Sequence, residues 1–108
     1  MPLEREILRC AESLQKRGVD QFYGYAIAKE MRTQKGAKAL IGYGTLYKAL
    51  QRLEAAKLLD SYWEDAREAA AEGRLRRRMY RLTRAGQQDA AVAALETYSV
   101  RQLGATPK

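Results

Sequence analysis

Histidine is absent from this chain of 108 residues, and cysteine and proline are nearly so, with one Cys and two Pro. Without histidine, Cys/His and Ser/His nucleophilic mechanisms are excluded, and so are the commonest metal-ligand sets. Lone Cys10 has no partner for an internal disulfide. Its neighbours at helical spacing, Ile7, Ala11 and Leu14, mark it as a small buried hydrophobe rather than a reactive thiol. The 13 acidic residues are scattered along helix-like surfaces with no recognisable catalytic pairing. No catalytic residue, metal ligand or cofactor is expected. No apolar run approaches the ~20 residues that cross a bilayer, and the N-terminal "PLEREILRCAESL" has neither the apolar centre nor the cleavage site of a signal peptide. The expected setting is the cytoplasm, with no membrane partner.

What remains is an ordinary globular composition, 46% apolar and 31% charged, with an extraordinary placement of charge. The net charge is +7, and between Arg67 and Arg84 seven arginines (Arg67, Arg74, Arg76, Arg77, Arg78, Arg81 and Arg84) face only Glu68 and Glu72. Five of the seven excess charges therefore lie in that one segment. A charge run alone is most often a solvated surface. This one contains no lysine, and arginine suits bidentate contact with phosphate better than lysine does. Nucleic acid becomes the leading partner, ahead of an acidic protein or a membrane surface.

Periodicity divides the chain into one small domain and a last helix. Residues 2–17 read as a helix, with Leu3, Ile7, Cys10, Ala11 and Leu14 on one stripe and Gly18 as its stop. A second helix spans 24–34, "KGAKA" makes a turn, and a third helix spans 44–56 with Leu46, Leu50 and Leu53 as its apolar residues. "LLDSYWED" and "RRMYRLT" alternate as two strands of a hairpin. Between them "AREAAAEGRL" forms a tip whose alanines also tolerate a helical turn. Thr83 suits the N-cap of a final helix running to Leu103, with Ala91, Leu95 and Tyr98 on one stripe. Three helices followed by a hairpin with a basic loop is the order of a winged helix-turn-helix, mainly α with a small β-hairpin. Residues 1–84 form the expected DNA-binding domain, and 85–108 the dimerisation helix and a frayed tail.

Three stretches strengthen this: "YGYAIAKEM" at 23–31, "GTLYKALQRLEAAKLL" at 44–59 and "RRMYRLTRAG" at 77–86. Their order and spacing resemble the PadR-like transcriptional regulators, in the short branch with a single C-terminal helix. The resemblance implies a dimeric regulator, usually a repressor, with the C-terminal helix against the partner subunit. It also implies sensitivity, in some members, to phenolic or drug-like compounds. Three positions depart from the family pattern. Lys48 stands where proline is frequent, Leu75 lies where the wing often has proline, and Met79 replaces a tyrosine.

Candidate residues follow from placing the third helix at a DNA groove. Gly44, Thr45, Tyr47 and Lys48 form its first turn, and Thr45 and Lys48 are expected to reach base edges or phosphates. Tyr47 is either a contact residue or a packing residue with its hydroxyl at the rim. Arg52 and Tyr25 are expected on phosphates, and Arg74, Arg76 and Arg77 in the wing. A homodimer is expected to bury Leu95, Tyr98 and Ala91 of the last helix with Leu3 and Ile7 of the first, presenting two third helices to a palindromic duplex. Trp63 and Tyr98 are the candidates for an aromatic effector. A protein-interaction winged helix and a nonspecific nucleic-acid binder are the competing functions.

Overall fold

A computed structural model describes residues 2–35 and 41–104, and the side chains over 3–34 and 41–95. Helix α1 (Pro2–Lys16) starts at a proline, whose missing N–H belongs to a turn that leaves its amides unpaired in any case. It stops at Gly18, where φ is +87° and the amides of Gly18 and Val19 bond back to the carbonyls of Gln15 and Leu14. Helices α2 (Gly24–Lys35) and α3 (Tyr43–Ala55) bury Ile27, Ala28 and Met31, and Leu46, Ala49, Leu50 and Leu53 respectively. These meet Ile7, Leu8, Cys10, Ala11 and Leu14 of α1 in one core. Apart from Lys35, which ends α2, the KGAKA turn lies outside the described residues.

Strands β1 (Leu59–Trp63) and β2 (Arg78–Leu82) pair antiparallel, with Leu59 opposite Leu82, Ser61 opposite Tyr80 and Trp63 opposite Arg78. Leu59, Tyr80 and Leu82 are buried, while Trp63, at the end of the same face, is 53% exposed because the hairpin has by then left the core. A third partner escapes the sequence reading. Phe22 bridges Tyr80, with its N–H donating to the Tyr80 carbonyl at 2.9 Å and the reverse bond at 2.7 Å. One residue is too short for a period-two signal, yet it covers the free edge of β2 and fixes the start of α2.

Between the strands stands a true helix, α4 (Ala66–Ala71), rather than a plain tip. Asp65 caps it by accepting the N–H groups of Arg67 and Glu68, Ala69 is fully buried, and Gly73 ends it at φ +73°. Helix α5 (Arg84–Gly104) begins after Thr83, whose hydroxyl accepts the Gly86 N–H at 2.9 Å and donates to the Lys57 carbonyl at 2.7 Å. Gly86, Ala90 and Ala93 form its inward side, with Gly86 against Leu58 and Leu82, and α5 packs along α1. Because α5 packs there, Ile7, expected at an intersubunit face, is fully buried within its own domain, and Leu3 packs half-buried against the same core.

One ionic network ties α1 to α2. The Glu30 carboxylate, on a residue only 5% exposed, accepts from both terminal nitrogens of Arg17, from the Ser13 hydroxyl and from the Gln34 amide. The Arg17 guanidinium, helped by the Ser13 and Gln34 donors, holds this carboxyl down to about 2.

Candidate nucleic-acid interface

The apolar spacing of α3 decides which of its residues face outward. With Leu46, Ala49, Leu50 and Leu53 inward, the residues Tyr43, Gly44, Thr45, Tyr47 and Lys48 are left exposed at its first turn. Gly42 caps that turn without a side-chain hydrogen bond, so its first amides carry the partial positive charge of the helix end to the surface. Thr45 and Lys48 thus sit on open surface, one turn apart. Tyr47 is 37% exposed, and its ring lies over Gly24: a Cβ there would meet the Tyr47 hydroxyl at 2.6 Å. It packs the second helix against the third, with its hydroxyl end against Gly24.

From that turn an aromatic strip leads to the wing. The Tyr43 and Tyr47 rings are 6.3 Å apart, Tyr47 covers the start of α2, and there Tyr23 and Tyr25 stack at 6.1 Å. The Arg77 guanidinium, delivered by the loop before β2, sits 4.1 Å from the centre of the Tyr23 ring. Arg32 lies 5.9 Å from the Tyr25 ring, and Tyr25 is 44% exposed. Tyr43, Tyr23 and Arg32 were not among the sequence candidates. The bridge from Phe22, just before α2, to Tyr80 of β2 brings Tyr23 beside Arg77.

The wing arginines divide into two kinds. Arg76 is exposed, and with Arg78 it flanks the Trp63 ring at 5.1 and 5.2 Å. Arg74 is committed inward: its terminal nitrogens bind both oxygens of Glu64, one of them at 2.7 Å, and it also reaches Glu72. The Arg74 fork and the Arg77 N–H hold the Glu64 carboxyl down to about 2, and the Arg74 guanidinium is stabilised in its charged form. Arg52 is likewise paired, with Glu4 of α1, whose carboxyl it lowers. Both were expected as phosphate ligands. Both instead fasten elements of the domain, because a carboxylate lies within reach that linear spacing does not reveal.

On α5, Ala91, Val92 and Leu95 are exposed, with Leu95 at 65%; the side chain of Tyr98 lies outside the described residues. Trp63 lines neither of the two surface cavities described, of about 350 and 200 Å³, which lie between α1, the end of α3 and α5. Its ring is occupied by arginines. Among the described residues no group of His, Cys, Asp or Glu could hold a metal, and no helix is long and apolar enough to cross a membrane.

An exposed first turn on the third helix, joined by a strip of side chains to a basic hairpin, defines a winged helix-turn-helix of the nucleic-acid-binding kind. The model of the "Transcriptional regulator PadR-like family" matches residues 14–92, and the chain belongs to that family. Similar solved structures include a PadR family transcription regulator from hypervirulent Clostridium difficile, 25% identical, with a TM-score of 0.73 over 95% of this chain and 94% of that one. A transcriptional regulator from Clostridium thermocellum is 28% identical, with a TM-score of 0.66 over 94% and 84%. The circadian clock associated protein Pex from Anabaena, 22% identical with a TM-score of 0.63 over 96% and 84%, shares the fold. No protein with a curated description matches this chain significantly.

Proposed function

We propose that this transcriptional regulator is a repressor that binds a palindromic operator as a homodimer. Residues 1–84 contact DNA, and α5 within 85–108 joins the subunits. The first turn of α3 enters the major groove, with Thr45 and Lys48 at base edges or phosphates. The wing follows the adjacent backbone or minor groove with Arg76 and Arg77. Tyr25 and Tyr47 offer hydroxyls to phosphates along the strip between them. The observation that carries this reading is that strip, which passes from Tyr43 and Tyr47 over the Gly24 backbone to Tyr23, Tyr25 and Arg77 and leaves Thr45 and Lys48 open beside it. Dimerisation rests on α5, whose inward face is satisfied by Gly86, Ala90 and Ala93 while Val92 and Leu95 remain bare.

Fluorescence anisotropy against duplex DNA from upstream of its own gene, and against a scrambled duplex of equal length, tests the proposal across a salt series. A preference of ~10³ or more for the upstream duplex is expected. Thr45→Ala and Lys48→Ala should each weaken it, by roughly 1–3 kcal/mol where the contact is to a base. Equal affinity for both duplexes with a steep salt slope points to nonspecific binding, and no binding at low salt points to a protein partner.

A further inference from the structure

We infer that Glu64 is a positioning residue of the wing, a carboxylate whose removal weakens DNA binding although it stands among the arginines that meet the phosphates. The inference rests on the DNA-binding reading above. Glu64 follows the last residue of β1, and it faces Arg77 across the hairpin. Its N–H donates to the Arg77 carbonyl at 2.9 Å, and its carboxylate accepts the Arg77 N–H at 3.2 Å. The pair closes the base of the excursion that carries α4. The same carboxylate takes both terminal nitrogens of Arg74, which returns from the far end of α4. Two distant points of the loop therefore converge on the side chain of its first residue: the residue after Gly73 and the residue just before the return strand. The guanidinium that stacks on Tyr23 belongs to the residue whose amide Glu64 holds.

Local electrostatics makes the opposite forecast. A carboxylate beside the segment Arg67–Arg84, which has an excess of five positive charges, repels an approaching phosphate, so replacing it with a neutral side chain should strengthen binding and steepen the salt dependence. If Glu64 holds the wing, its loss lets Arg76 and Arg77 sample many orientations. Ordering them on the DNA then costs entropy that the native wing has already lost on folding. Its role is thus recognised by the sign of the effect, which charge alone cannot produce.

The test is anisotropy with the upstream duplex for the native chain, Glu64→Gln and Arg74→Lys, each with a salt series and a circular-dichroism melt. Arg74→Lys keeps the net charge but loses the bidentate fork, and it serves as the readout should Glu64→Gln fail to fold. The expected result for the folded variants is affinity about tenfold lower, with a salt slope shallower by about one to two units as wing contacts drop out. Trp63 emission should also change in the free protein, since the loop that brings Arg76 to its ring is released. Unchanged or tighter binding by both variants overturns the inference while leaving the DNA reading intact. A native chain that binds no DNA overturns both.

Discussion

At Gly86 the backbone of α5 comes so close to the joint after α3 that a Cβ would lie 1.9 Å from the Leu58 carbonyl oxygen. That oxygen already accepts the Thr83 N–H at 3.1 Å, so it cannot move without breaking the start of α5. Gly86→Ala should cost about 2–4 kcal/mol, read as a drop in denaturation midpoint at constant m-value; a loss under half a kcal/mol would contradict the close approach. Gly24→Ala meets a movable partner, the end of the Tyr47 side chain. Its cost should be nearer ~1 kcal/mol, with the greater change in DNA affinity, because the Tyr47 ring must leave its place beside Thr45 and Lys48.

Among the elements, α5 and the hairpin show how one sequence stripe serves two purposes. The stripe of Ala91, Leu95 and Tyr98 is the face of α5 expected against a partner subunit. The small residues Gly86, Ala90 and Ala93 make the intramolecular contact instead, Gly86 against the Leu58 carbonyl and Leu82, while α5 packs along α1. Leu95 is left at 65% exposure. Leu95→Glu should leave the winged domain folded and shift a dimer to monomer in sedimentation velocity, with operator affinity falling at least tenfold as the two half-sites uncouple. A native chain that sediments as a monomer at micromolar concentration would remove the dimer from the proposal. In the hairpin, alternation separates the two sides of each strand, and pairing buries Leu59, Tyr80 and Leu82 on one of them, with Trp63 on the same side but past the core.

For the whole molecule, carboxylates held below their ordinary value should contribute to stability that acid removes, Glu30 and Glu64 the most and Glu4 with them. Glu30 and Glu64 lie at about 2 in the folded chain against 4.5 for the ordinary group. The unfolded chain therefore binds more protons than the folded one between these values. The stabilisation is fully present above the ordinary value and is lost as pH falls towards 2. Urea melts should be insensitive to these groups between about pH 6 and 7 and should weaken progressively below about pH 5. Glu30→Gln should cost roughly 1.5–3 kcal/mol at neutral pH, since one charged acceptor serves Arg17, Ser13 and Gln34 together, and its acid limb should be shallower. An equally steep acid limb in the variant would assign the transition to other groups.

The sequence by itself determined the succession of α1, α2, α3, the two strands and α5, and the inward faces of the first three helices, because burial against a core imposes periods of 3.6 and 2 that local spacing records; it left α4 open and did not locate the inward face of α5. It also determined the basic character of the segment from Arg67 to Arg84, the glycine stop at Gly18 and the cap at Thr83. Only the tertiary structure decided which arginines meet a carboxylate and which meet an aromatic ring. Arg52 and Arg74 read from the chain like Arg76 and Arg77, yet Glu4 lies 48 residues from Arg52, and Glu64 is brought to Arg74 by a helix that the linear pattern left open. The tertiary structure likewise placed Arg77 on Tyr23, through the Phe22 bridge. Ion pairs and ring contacts depend on distances of a few ångströms between segments remote in sequence, and periodicity carries no information about those distances.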